Sequence, residues 1–385
     1  MLTPEFKLLL SCSKLYAGEN ELSADKVILH DNINEDLFIE LIDRHAVAPL
    51  AYKKLKTVIG VSDQLMNGIK LRVQQNQLIS LSAMSMIVRL QKKMDEFHIR
   101  GLFLKGIPLA AMYYGDIALR ESMDIDLWVE RKGFSIISDY LSSLGYQSDL
   151  DLKKFNKTQI NYKFKTDHHL IFSINKPGLP PVIELHWKIK DRFGAFTFNP
   201  ETDFDSTAKY EIAGISVSVF NHIDNFLYLC THGCEHAWYR LKWLFDLPQL
   251  MSLVNYNWED VQERAIELNC QDQLKLTFLL LKKLLGYEIP PPLRSDGINS
   301  NMKSQLSYIK HCILYRGQYC DTFREKLLNI KYFFSINKKG VLNSALLLRY
   351  FTSENDWKMF PLPEKLFFLY FPLRPFLLIW RRVFQ

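Results

Sequence analysis

The sequence has little cysteine. Six residues (Cys12, Cys230, Cys234, Cys270, Cys312 and Cys320) scattered over 385 do not make a disulfide framework, and free thiols in a reducing compartment are the simpler account. There is also no uncharged apolar run long enough to cross a bilayer. The nearest approach, Leu366 to Trp380, is broken by Pro372, Arg374 and Pro375, so no transmembrane segment is expected. Met1 to Lys14 lacks the basic start and apolar core of an export signal, which makes a cytoplasmic location the expectation. Internal repeats and low-complexity tracts are absent. So is the glycine-rich run ending in Lys-Ser or Lys-Thr, which removes the P-loop class of nucleotide site.

What remains is ordinary material for a packed protein, with 48% apolar and 23% charged residues. The length allows two or three domains, or one core with a helical extension. The net charge of +6 is unevenly spread: residues 301–385 carry +9, and the first 300 carry −3. Any surface for a polyanion is therefore to be sought in the tail.

Apolar spacings of three and four predict helices over Phe6 to Tyr16, Asn34 to Ala48 and Asp63 to Phe97, with Asn34 as a cap and Pro49 as a stop. The third is too apolar to stand alone and is expected to pack against the next unit, its methionines filling core. From Gly101 the character changes. A short strand ends at Gly106, a helix covers Ile107 to Tyr114, Met123 to Val129 alternates as a strand, and Gly133 to Leu144 is helical. Further strands are predicted at Ile160 to Phe164, His169 to Ile174 and Val182 to Ile189. Helices return at Ile223 to Ala237, Trp238 to Leu247 (stopped by Pro248), Trp258 to Leu268 and Gln271 to Leu285. The expected organisation is a helical region (1–98), an α/β core (99–219), a helical region packing on that core (220–289) and a basic, aromatic helical region (290–385). The fold class is α+β, a mixed sheet flanked by N-terminal and C-terminal helices.

The sharpest motif is Arg120-Glu121-Ser122-Met123-Asp124-Ile125-Asp126-Leu127. In a strand, Asp124 and Asp126 point the same way while Ile125 and Leu127 enter the core. Two adjacent carboxylates repel each other, and a divalent cation such as magnesium between them turns the cost into a gain. Asp-x-Asp also occurs at plain solvent-exposed strand ends. Val182-Ile183-Glu184-Leu185-His186 is a second strand with Glu184 and His186 on one face, and beside the first it would add a third carboxylate. Three acids holding metal suit phosphoryl or nucleotidyl transfer. Gly106, at a strand-to-helix turn, allows a phosphate to approach the backbone. Lys105 and Arg120 offer charge to a triphosphate, though either is equally an ordinary solvated charge. In Cys230-Thr231-His232-Gly233-Cys234-Glu235-His236 the cysteine pair and the histidine pair point in different directions, which argues against a four-ligand zinc site. The His232, His236 face is expected to meet the α/β unit, with Arg240 and Asp246 further along.

Leu104-Lys105-Gly106, Tyr113, Arg120, Asp124-Ile125-Asp126-Leu127, Glu184-Leu185-His186-Trp187, the His232 to His236 segment and Leu241-Lys242-Trp243-Leu244-Phe245-Asp246 together resemble a family of bacterial nucleotidyltransferase-like proteins, mostly described as uncharacterised. Their fold is similar to that of the DNA polymerase β-type nucleotidyltransferase superfamily. The resemblance spans about Leu9 to Leu250. It implies magnesium-dependent transfer of a nucleoside monophosphate from a nucleoside triphosphate such as ATP to an acceptor hydroxyl, releasing pyrophosphate. It also implies that Gly106 opens the triphosphate-binding turn, that Asp124 and Asp126 bind metal, and that Glu184 is the third acid, assisting deprotonation of the acceptor. Lys105, Arg120, His186 and Asp246 match characteristic positions, and His232 and Arg240 join the nucleotide-binding candidates. The usual Gly-Ser opening is here Gly106-Ile107, leaving backbone amides, Lys105 and Arg120 to meet the phosphates.

The acceptor is unspecified: a protein side chain, a small molecule or an RNA end. Two other readings stay open, a non-catalytic nucleotide-binding or regulatory protein and another metal-dependent phosphotransferase or nuclease. The basic tail interleaves Lys and Arg with aromatics, as nucleic-acid-binding segments do, but a packed helical cap or a membrane-surface helix explains the same residues.

Overall fold

The computed structural model describes residues 2–13, 33–189, 195–294, 299–315, 322–336, 348 and 351–384. Cys320 and the end of the first predicted helix at Tyr16 fall outside them. At the N-terminus, Thr3 caps α1 (Pro4–Ser11), and Asn34 accepts the Leu37 N–H at 3.0 Å to open α2 (Glu35–His45). Pro49, expected as a stop, instead stands in the first turn of a separate helix, α3 (Ala48–Leu55), after Ala46 turns left-handed at φ 53°. Proline is tolerated there because first-turn N–H groups have no intrahelical acceptor to lose.

The 34-residue helix α4 (Asp63–Glu96) serves two cores. Leu65 and Ile69 pack with α1 to α3, whereas Ala83, Met86, Ile87, Leu90 and Met94 pack against the sheet. The expected packing thus holds along one stripe. Leu78 and Leu81, on the other side, are 70% and 53% exposed.

The sheet has seven strands: β1 (Gly101–Phe103), β2 (Asp124–Val129), β3 (Gln147–Ser148), β4 (His169–Ser173), β5 (Val182–His186), β6 (Ala208–Ile212) and β7 (Ile215–Val219), in the order β3-β4-β5-β2-β1-β7-β6. It is mixed: β2 pairs parallel with β5 and antiparallel with β1, which pairs parallel with β7. Between strands run α5 (Ile107–Tyr114), α6 (Phe134–Ser143) and α7 (Lys157–Thr166). The last replaces the strand predicted at Ile160 to Phe164. Asn156 and Gln159 form a reciprocal capping box that starts a helix, and this local signal outweighs the β-branched and aromatic residues that follow. The β6–β7 hairpin lies outside the predicted strands. It turns at Ala213-Gly214 with φ 49° and 75°, the positive values that a tight two-residue turn demands.

Four further helices cover one face: α8 (His222–Glu235), α9 (Leu241–Leu253), α10 (Trp258–Glu267) and α11 (Gln271–Leu285). Pro248 lies inside α9 and does not end it. The helix runs on because Leu250 is fully buried and Gln249 donates through Nε2 to the Tyr113 carbonyl of α5. The tail divides. Helices α12 (Ser300–Tyr315) and α13 (Phe323–Ile336) join the helical core, with the Tyr332 hydroxyl donating to the Cys234 carbonyl at 2.7 Å. Helices α14 (Glu354–Met359) and α15 (Tyr370–Phe384) return to α7, where Trp357, Phe367 and Tyr370 pack against Tyr162 and Phe155. Two of the tail's basic residues, Arg374 and Arg381, face inward onto the buried Asp356. Among the described residues, no helix is long and apolar enough to cross a membrane.

His45, with no exposure, joins α2 to the start of α9. The Leu241 N–H donates to its Nδ1 at 3.2 Å, and the Arg44 guanidinium lies 3.0 Å from Nε2, so neither neighbour can accept a second ring proton. Burial, with Arg44 and Arg240 nearby, lowers the His45 pKa from 6.5 to about 3. The unfolded chain therefore takes up this proton first, and stability falls as pH drops from 6.5 towards 3. Between pH 6.5 and about 5 the loss should reach about 2 kcal/mol. Urea unfolding of wild type and His45→Gln across that range checks this: the variant should have the shallower pH slope.

Candidate active site

Side-chain alternation on β2 sends Ile125, Leu127 and Val129 into the core beneath α4 and α6 and leaves Asp124, Asp126 and Trp128 on the opposite face. Parallel pairing then sets Asp126 beside Glu184 and Trp128 beside His186, while antiparallel pairing of β4 with β5 sets His169 beside His186. Lys105 follows β1, where the Leu104 N–H donates to the Asp126 carbonyl at 3.1 Å. Register alone thus gathers most of the predicted residues at one end of the sheet.

The Lys105 ammonium lies 3.1 Å from Asp126 Oδ2 and 3.5 Å from Asp124 Oδ2. His186 Nε2 is 3.5 Å from Asp126 Oδ1 and 3.4 Å from Glu184 Oε2. These are ionic contacts more than hydrogen bonds, since the buried Asp126 Oδ2 has no donor in good geometry. Burial raises the pKa of Asp126, and the charges of Asp124 and Glu184 add to it against the pull of Lys105. Glu184 stays well below the usual carboxylate range because His186 and Lys105 outweigh its burial. Burial works against charge on Lys105 and His186 too, yet the surrounding carboxylates raise both.

Asp126, Glu184 and His186 bring ligand atoms within 4.8 Å of one another. Two carboxylates and an imidazole, with one buried carboxylate oxygen lacking a donor, fit a divalent cation. The grouping differs from the expected Asp124, Asp126, Glu184 set in its detail. Asp124 sits one step along β2, opposite Val182, and faces Lys105.

The opposite wall comes from α8, the turn after it and α9. His232, Glu235, His236, Arg240 and Trp243 close a cleft of about 260 Å³ with Lys105, Asp124, Asp126, Glu184 and His186. His232 and Arg240 therefore lie where the sequence suggested. Cys230 and Cys234 are buried in the core on the other side of α8, and no cysteine joins a metal-competent group among the described residues.

Arg120 and Gly106 do not line this cleft. Arg120 is buried, and its Nε and Nη2 donate to the two carboxylate oxygens of Asp246 at 2.8 and 2.9 Å, with the Tyr114 hydroxyl on the same carboxylate. A guanidinium so engaged cannot serve as a fork for a triphosphate. It pins the segment before β2 to α9. Gly106, at φ 79°, lets the chain turn from β1 into α5 close behind β2, where a Cβ would come within 3.1 Å of Ser122 Oγ.

His168, His169, Glu235 and Trp243 also line the cleft and Lys242 stands beside it, beyond the site residues that the sequence points to. Lys242 is buried near Asp124, donates to the Glu121 carbonyl at 3.1 Å, and has its pKa lowered to about 8 by burial and by Arg120. Its signal was its place four residues before Asp246 on α9. His168 and His169 betray themselves only once the β4 register is known.

The sequence pattern of a family described as uncharacterised nucleotidyltransferases matches residues 31–286. Among solved structures, the chain is similar to an antigenic nucleotidyltransferase-like protein from Paracoccidioides brasiliensis, at 14% identity over 56% of this chain and 94% of that one, with a TM-score of 0.31. No curated protein matches the chain.

Removing one partner of the Arg120–Asp246 pair leaves a buried charge uncompensated. Asp246→Ala should cost about 3–5 kcal/mol in denaturant unfolding, and the double change Arg120→Met, Asp246→Leu should recover most of it.

Proposed function

Because this chain belongs to that family of nucleotidyltransferases, we propose that it moves a nucleoside monophosphate from a nucleoside triphosphate, ATP among them, to an acceptor hydroxyl and releases pyrophosphate. The observation that supports this best is the convergence of Asp126, Glu184 and His186 with Lys105 and Asp124 at the floor of one cleft. The cofactor would be magnesium, held by the carboxylate oxygens of Asp126 and Glu184 with Asp124 completing the protein's share. When bound, it supplies Lewis-acid stabilisation to the transferring group and acidifies an attacking hydroxyl.

The chain's own residues do the rest. Lys105, a permanent cation beneath the carboxylates, keeps Asp124 ionised and offsets the repulsion between acids. Glu184, held ionised, accepts a hydrogen bond from the acceptor hydroxyl and orients it. Arg240 and His232 on the opposite wall face the phosphates, and Trp243 limits water on that side. The acceptor, whether protein, small molecule or RNA end, enters between the sheet and α8. A cytoplasmic setting suits this chemistry, where triphosphates are plentiful.

The test is incubation with magnesium, each labelled triphosphate and a cell extract, followed by tracing the label. Wild type should transfer label and release pyrophosphate, and the double change Asp124→Asn, Asp126→Asn should lower transfer on the order of 10²- to 10³-fold. Phosphate label on the acceptor with release of nucleoside diphosphate, and no pyrophosphate, would mark a phosphotransferase instead. Transfer equal in wild type and double variant would remove these residues from the chemistry.

A further inference from the structure

The end of α8 carries a cluster of which the proposed transfer engages only His232, as one of the groups facing the phosphates. Spacings of three and four put His232, Glu235 and His236 on one helical face, and their ligand atoms lie within 4.8 Å of one another. All three line the cleft from the side facing the sheet. The residues between them serve the core instead. Cys234 is fully buried, and Gly233 must be glycine, because a Cβ there would sit 2.4 Å from the Trp238 ring. Trp238 folds back under the helix because Ala237 and Trp238 both take left-handed backbone, at φ 48° and 50°. The helix therefore ends at Glu235 with His236 as its cap and leaves the cluster at its open end.

The imidazoles are already ordered by packing. The His232 ring lies 6.1 Å from Tyr228 at 28°, and both His232 and His236 pack 5.1 Å from Trp243. Ligands held in place lose less freedom when an ion binds. Two imidazoles and one carboxylate suit zinc-class ions, whereas magnesium demands oxygen and keeps its waters. A histidine pair four apart on a helix is a recurrent way to hold such an ion. The tighter concentration of histidine supports the same reading: five of the chain's ten histidines line this one cleft. His168, His169 and His186 form a second imidazole group, but His186 already belongs to the acidic cluster on the sheet.

The geometry points to a separate cation site on the helical wall, in which His232, Glu235 and His236 bind a zinc-class divalent ion whose remaining positions open into the cleft. Its ligands share no residue with Asp126, Glu184 and His186, so it stands whether or not the chain transfers nucleotides. An ion there offers positive charge to an anionic group entering beside Arg240.

Cobalt(II) is the probe, titrated into the metal-stripped full chain while its ligand-field absorption is read, with excess magnesium present. Wild type should bind one cobalt with a low-symmetry absorption band. His232→Ala and His236→Ala should weaken it by about 100-fold, and Asp126→Asn should leave it in place. Circular dichroism reports whether each variant folds. Glu235→Gln, which keeps shape and removes charge, should weaken binding and shift the band even if the histidine variants prove unstable. No cobalt band in wild type overturns the site. So does a band that survives all three helix changes, or one lost only in Asp126→Asn, which would put the ion on the sheet.

Discussion

Parallel pairing of β2 with β5 forces two carboxylates, Asp126 and Glu184, into neighbouring positions on a buried sheet face, with Asp124 one step away. Much of the architecture serves to make that repulsion tolerable. Lys105 is delivered between Asp124 and Asp126 by the turn at Gly106, and His186 comes from the same strand as Glu184. Neither group is an accident of surface charge. Both are buried, so each depends on the carboxylates as much as they depend on it.

The cleft exists because two walls are fixed independently and then locked. The sheet wall follows from strand register. The helical wall is fastened by Arg120 and Asp246, a two-pronged buried pair linking the segment before β2 to α9, and by the Gln249 contact to α5. Positioning of this kind, remote from the reacting atoms, is what sets distances in a site built on rigid elements. The long α4 then ties the N-terminal helices to the same sheet by packing into both cores.

Much of this was legible in the chain of letters. The alternation of Asp124 to Val129 and of Val182 to His186 announced strands and set the acids on one face, and pairing those strands was the single inference needed to assemble the floor of the site. What could not be read was tertiary. Arg120 looked like a phosphate ligand because its partner, Asp246, lies 126 residues away. Ile160 to Phe164 read as a strand because β-branched and aromatic residues mask a capping box four residues earlier. Pro49 and Pro248 read as stops, yet one starts a helix and the other is carried through one by the packing around it. The roles of His168 and His169 depend on the antiparallel register of β4, which no local pattern reports.

The return of the tail to α7 gives the molecule a direction in time. Thr158 and Glu364, joined by hydrogen bonds between α7 and the turn before α15, are 206 residues apart. At the pace of synthesis that separation is roughly 10 to 40 s. Throughout that interval the aromatic face formed by Phe155 and Tyr162 has been made but not covered. A chaperone-sized window is thereby written into the order of the elements: the sheet can close its cleft well before the last helices arrive to seal its outer flank.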